Sequence, residues 1–142
     1  MMKLDVSIVL PMFVLAGWTA FVLLLIPIVR FTAAAQGKVK QEDFKLAESS
    51  RVPAWVVRPN RSYMNLLELP VLFYVILLLL LVTGQATPAM HTLAWVYVGL
   101  RIVHSLIHLT VNQVIVRMLV FATSNFVLLA LWIMAGIRLF SA

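Results

Sequence analysis

The sequence predicts an all-α integral membrane protein, a bundle of four transmembrane helices, and three observations lead there. Of its 142 residues, 63% are apolar and only 11% are charged. A soluble domain carries about 25% charged residues, so this chain lacks the polar side chains to cover its own surface in water. Its mean hydropathy is +1.05. Four windows of about 20 largely uncharged residues stand between the charged positions, and that is the length that crosses a hydrocarbon layer. A soluble enzyme, a disordered chain and a nucleic-acid binder are excluded, because the net charge of +6 gathers around apolar segments and forms no continuous basic stripe. With no cysteine in the chain, disulfides, a thiol nucleophile, iron–sulfur clusters and cysteine-bound zinc are excluded too. Any thiol chemistry has to arrive with a substrate.

Taken in order, the first span covers about residues 6–29, an uncharged run closed by Arg30. Lys3 ahead of it and Ala33-Ala34-Ala35 behind it imitate a signal peptide. The run far exceeds the usual roughly 7 to 15 residues, however, and Arg30 intervenes before the alanines. Residues 30–61 form a basic loop with seven Lys or Arg against three acids, too small for a domain of its own. Its end, Val52 to Pro59, reads as chain lying along the lipid–water interface with Trp55 at headgroup level. The second span, 63–83, has to start near Tyr63 because Leu66 to Val82 alone is short, and this takes Asn65 and Glu68 into the membrane boundary. Gly84 to His91 is an uncharged turn with Gly and Pro, which makes the second and third spans antiparallel neighbours.

The third span, 92–109, is long enough only with Arg101 accepted at its middle. The fourth, 118–137, is bracketed by Arg117 and Arg138, and its Thr123, Ser124 and Asn125 are expected to hydrogen-bond between helices. Residues 1–142 thus read as one membrane domain. The positive-inside rule puts the loop 30–61 and the turn near Arg117 in the cytoplasm and both termini on the other side, with Arg138 the only basic residue against it. A bacterial inner membrane is the expected location.

Two spans carry polar stripes. Arg61, Asn65 and Glu68 stand at i, i+4 and i+7 on the second, and Tyr97, Arg101, His104 and His108 at i, i+4, i+7 and i+11 on the third. An arginine at the bilayer centre costs about 2.5 to 3.5 kcal/mol even on the mild insertion scale, so the stripes should face each other or a watered cavity. Glu68 and Arg101 are the obvious partners. One reading is that this pair merely joins helices. Arg30, Arg58, Arg61 and Arg117, however, all collect at one boundary without acidic partners inside the spans, so an anion is the expected guest. Taken singly, each of these arginines also suits lipid headgroups. His104 and His108 have the spacing of metal ligands, but Arg101 beside them repels cations and no second carboxylate is at hand, so no metal is expected. A Ser–His–Asp triad fails because Asp5 faces the far side and Asp43 lies out in the loop.

Arg61-Ser62-Tyr63-Met64-Asn65-Leu66-Leu67-Glu68-Leu69-Pro70 resembles the R-x-x-x-N-x-x-E signature, followed by proline, that opens the second helix in the MAPEG family. These are the membrane-associated proteins in eicosanoid and glutathione metabolism. Arg101 to Thr110, with Arg117 sixteen positions after Arg101, is similar to the third helix of the microsomal glutathione transferases. The resemblance implies a homotrimer of four-helix subunits with glutathione bound between neighbours near the cytoplasmic face. It matches Arg61, Asn65, Glu68, Arg101 and Arg117 to the glutathione contacts, and Arg30 by its place at the end of the first helix. His108 stands where the family commonly has Tyr, and Tyr63 where characterised members have His or Gln. His104, His108 and Tyr63 complete the expected binding frame, with Glu68 suited to the ammonium of glutathione and Arg117 to its thiolate. The implied activity is a glutathione-dependent transfer to, or peroxide reduction of, an apolar electrophile from the bilayer. The alternative is a non-catalytic subunit of the same fold that binds lipid or another membrane protein.

Overall fold

The computed structural model describes residues 5–141, so Lys3 lies outside it. Four helical segments are long and apolar enough to cross a membrane: Val6–Ala35, Ala54–Thr83, Pro88–Leu109 and Val114–Phe140. No strand occurs among the described residues. The architecture is the all-α membrane bundle that the composition predicts.

The crossings run longer than the charges suggest. After a 3-10 turn at Val6–Val9, helix α1 covers Leu10–Ala35. At 1.5 Å per residue it reaches about 39 Å against a hydrocarbon core of about 30 Å. Arg30 therefore does not end the helix but rides within its emergent last turns, where a long cationic side chain finds water. The stop comes at Gly37, whose φ of +69° is left-handed. Its N–H donates to the Ala34 carbonyl and that of Lys38 to the Ala33 carbonyl, both at 2.9 Å. This Schellman closure needs a residue without a Cβ penalty at 37.

One carboxylate organises the loop that follows. Asp43, 4% exposed, accepts from the Lys40 N–H at 2.9 Å, the Ser49 hydroxyl at 2.6 Å and the Arg51 guanidinium at 2.8 Å. Bonds to the charged form, that of Ser49 foremost, hold its carboxyl below the usual carboxylate range. Ala33, Val39, Val52 and Val56 make a small apolar core in this region. The expected loop 30–61 ends earlier than the charges suggest, because helix begins within its last residues: α2 covers Ala54–Leu67, starting directly behind Pro53 and carrying Pro59 inside it.

The second span is broken. Helix α2 stops at Leu67, Glu68 takes ψ −103°, and α3 runs over Pro70–Thr83. Pro70 has no N–H to give the Leu66 carbonyl, so the ladder loses a rung there and the distortion falls on Glu68. Helix α3 closes at Gly84, with φ +64°. Helix α4, Pro88–Leu109, opens with the Thr87 hydroxyl accepting from the Met90 N–H at 3.4 Å. Helix α5 covers Val114–Phe140.

Helix α4 is the central post, packed on α1, α2 and α5. Leu15 and Val22 of α1, Phe73, Ile76, Leu77 and Leu80 of α3, Ala94, Tyr97 and Val98 of α4, and Leu128, Leu131 and Ala135 of α5 form one buried cluster. The second span meets the third mainly through α2, while α3 leans on α5 and the 3-10 turn. Phe73 still stacks on Tyr97 with ring centroids 4.5 Å apart. Among the described residues of the chain, the expected interhelical bonds from 123–125 are not made. Thr123 donates to the Leu119 carbonyl and Ser124 to the Phe121 carbonyl of their own helix, and Asn125 Oδ1 is buried without a partner. A short hydroxyl side chain reaches the carbonyl one turn back without ordering a second helix.

Candidate functional site

The polar residues converge at the loop end of the bundle, around Arg117 in the first turn of α5. Its Nη1 donates to Asn112 Oδ1 and lies 3.4 Å from His108 Nε2 at the end of α4. An arginine only donates, so the imidazole nitrogen is the acceptor. Asn112 takes φ +49° in the α4–α5 turn, a conformation that Asn tolerates better than most residues. Arg58 of α2 donates to the Thr110 carbonyl. The negative end of α4 and its unpaired carbonyls thereby receive a cation.

A cavity of about 510 Å³ opens among these groups. Its polar wall consists of Arg58 and Arg61 from α2, His108 from α4, Asn112 and Arg117, with Glu48, Ser49 and Ser50 from the loop. Three guanidinium groups against one carboxylate make it a site for anions. A second cavity, of about 320 Å³, is lined by Asn65, His104, Val114, Arg117, Met118 and Phe121. Arg117 belongs to both walls. One of its neighbourhoods is charged and the other partly apolar.

Arg101 lies behind the second cavity and is fully buried. The expected Glu68–Arg101 pair is absent: among the described residues Glu68 makes no ion pair and its side chain is exposed. Arg101 Nη2 instead donates to the Asn65 carbonyl at 2.6 Å and to Asn65 Oδ1 at 2.7 Å, and its guanidinium carbon stands 5.5 Å from the centre of the Phe121 ring. The break at Glu68 accounts for this. It ends α2 inside the span, so Asn65 falls among the last carbonyls, which lack helical partners and carry the negative end of the helix dipole. A helix terminus serves the buried cation where a carboxylate was expected.

The remaining residues of the predicted site divide as follows. Arg61, His108 and Arg117 line the first cavity, and Asn65 and His104 join Arg117 in the second. Arg30 stands behind the first, 3.3 Å from Glu48 Oε1, with its guanidinium carbon 4.5 Å from the centre of the Phe44 ring. Tyr63 packs against the buried cluster and, like Glu68, lines neither cavity. Glu48, Ser49, Ser50 and Asn112 escaped the sequence reading because they sit in irregular chain, where no periodicity tells which way a residue faces. Glu48 did carry a signal, as one of three acids among seven basic residues in 30–61.

A sequence model of the MAPEG family matches residues 8–137. No curated protein and no solved structure matches the chain.

Proposed function

The chain belongs to the MAPEG family, and we propose that within it this integral membrane protein is a glutathione-dependent transferase or peroxidase. The position of Arg117 carries the reading, because it is shared between a cationic cavity and a partly apolar one. Glutathione has two carboxylates, an ammonium and a thiol. Guanidinium forks such as those of Arg58 and Arg61 suit the carboxylates. A free thiol titrates near about 8.5, and a cation beside it favours the thiolate, which is the nucleophile. Arg117 is the residue for that task. An apolar electrophile dissolved in the bilayer approaches from the side of Val114, Met118 and Phe121. There a sulfur–carbon bond forms as the leaving group departs, or the thiolate sulfur takes the terminal oxygen of a hydroperoxide as the O–O bond breaks. The peroxide case leaves an alcohol, once the alkoxide is protonated, and a sulfenic acid that a second glutathione converts to the disulfide and water.

The cavity fits the ligand in kind, with several cationic groups, one carboxylate and a volume within the ordinary range for small-molecule sites. The reading includes the family's homotrimer, in which neighbouring copies close the site. Titration calorimetry of the purified protein with glutathione, combined with the thiolate ultraviolet absorbance of the complex, tests it. Binding with thiolate present at neutral pH is the expected result. Absence of binding overturns the reading, and bound glutathione with an unshifted thiol assigns the chain to the non-catalytic branch.

A further inference from the structure

We propose that Asn112 and His108 are positioning residues that aim Arg117: between them they take one corner of its guanidinium, so that the opposite edge is presented to the sulfur of the bound ligand. The inference rests on the reading of Arg117 as the group beside the thiol. Both acceptors meet the same nitrogen, Nη1, Asn112 through Oδ1 and His108 through Nε2 at 3.4 Å. A guanidinium has five N–H groups, two of them on that nitrogen. Those on Nη2 and Nε make no bond among the described residues. Because the guanidinium is planar, two acceptors at one corner set the direction of the rest.

Arg117 stands in the first turn of α5, the positive end of that helix, where a cation is disfavoured and acceptors have to offset it. Asn112 takes φ +49° in the α4–α5 turn. Glycine adopts that conformation without cost, so the backbone alone does not call for an amide side chain there. The amide oxygen is what meets Arg117. The Asn112 N–H donates to the Ile107 carbonyl at 2.7 Å, which anchors this acceptor to the end of α4. His108 is 8% exposed, and its ring meets that of His104 at 74° with centroids 6.1 Å apart, so its plane is held by packing. All of these contacts lie within one chain and need no neighbouring copy. A guanidinium fixed before the ligand arrives stabilises charge on the sulfur without reorganising.

The test titrates the thiolate ultraviolet absorbance of the glutathione complex, using the full-length protein in detergent. Calorimetry with an analogue that carries α-aminobutyrate in place of cysteine reports on the rest of the site. Asn112→Gly keeps the left-handed backbone and removes the acceptor. It should raise the pKa of the bound thiol by about half a unit or more, a roughly threefold loss of thiolate below that pKa, and still bind the analogue. His108→Leu should act in the same direction, and His108→Gln, which returns an acceptor, should recover at least half of that loss. A role in holding the turn alone would lower the thermal midpoint and leave the bound thiol where it is. A thiol unmoved in Asn112→Gly or in His108→Leu, or moved as far by His108→Gln as by His108→Leu, overturns the inference. If Asn112→Gly no longer binds the analogue, the two His108 variants decide alone. An ordinary thiol in the wild-type complex overturns the catalytic reading itself, and binding of neither ligand overturns the glutathione reading.

Discussion

The residue on which the proposed chemistry turns is Arg117, and the role proposed for it is measurable as a proton affinity. Lowering a bound thiol by one pKa unit needs only about 1.4 kcal/mol of preference for the thiolate, a modest demand on one guanidinium in a partly enclosed pocket. Arg117→Ala should return the bound thiol toward about 8.5, and Arg117→Lys should recover part of the shift, since for a sulfur the charge matters more than the fork. Arg61→Ala, which removes a proposed carboxylate partner, should weaken binding more and move the thiol less. Titrating the thiolate absorbance of each complex separates the two, and equal thiol shifts in both variants would remove the special role of Arg117. Away from the cavity, Asp43 gives a pH dependence of definite sign. Its carboxyl is held below the usual range by Ser49, the Lys40 N–H and Arg51. The stability it contributes is therefore complete above the ordinary carboxylate pKa of about 3.9 and is lost as pH falls through the lower folded value. The protection factors of the Lys40 and Ser49 amides, taken against the intrinsic exchange rate at each pH, should fall on acidification below about pH 4, and Asp43→Asn should lower them at neutral pH. The gathering of Arg61 and Arg117 at one end of the bundle was legible in the sequence because four arginines share that boundary without acidic partners in the spans, although each alone also suits a lipid headgroup. The partners of Asp43 were not, since three separate loop residues converge on it only after the chain has turned.

Among the elements, the broken second span shows where a pattern of residues misleads. Spacing put Arg61, Asn65 and Glu68 on one helical face, which holds only while the helix continues; Pro70 stops it, and the third member of the stripe leaves the face. The buried guanidinium of Arg101 then turns to the C-terminal end of α2, a partner that no side-chain pattern displays. Stability measurements distinguish the two pairings. Asn65→Ala removes an acceptor from a buried cation and should cost about 1.5 to 3 kcal/mol. Glu68→Ala removes an exposed carboxylate and should stay within about 0.5 kcal/mol. Thermal midpoints in detergent decide between them, and a loss in Glu68→Ala as large as that in Asn65→Ala would restore the salt bridge. Charges were poor markers of helix ends for a related reason: Arg30 and Arg117 both lie within helices whose ends extend beyond the apolar windows. The turn glycines Gly37 and Gly84 and the proline at the start of α4 marked the ends better, because backbone conformation stops a helix and a snorkelling side chain does not.

For the whole molecule, the four-span count was legible because lipid demands one thing of every residue it touches, whereas the cavities depend on contacts between segments distant in sequence. The apolar exterior is plain in Phe13, Phe31 and Phe126, which are 66%, 75% and 71% exposed. The charges at the two ends of the bundle are unequal. Arg30, Arg58, Arg61, Arg117 and the loop lysines 38, 40 and 45 gather at one end; the other holds Arg138 and the His91–Asp5 contact of 2.8 Å that ties the N-terminal turn to the start of α4. Basic residues near span ends favour the cytoplasm, so the orientation proposed here puts the cationic cavity in the compartment where glutathione is made and kept reduced. The cysteine-free sequence makes the test direct. Ser50, exposed at the cavity mouth, and Ala89, exposed in the first turn of α4, lie on opposite ends of the bundle. In intact cells a membrane-impermeant maleimide should label Ala89→Cys and spare Ser50→Cys until the membrane is opened. The reverse pattern would turn the cavity outward, away from its proposed thiol supply, and the site would then have to be read as one for an extracytoplasmic anion.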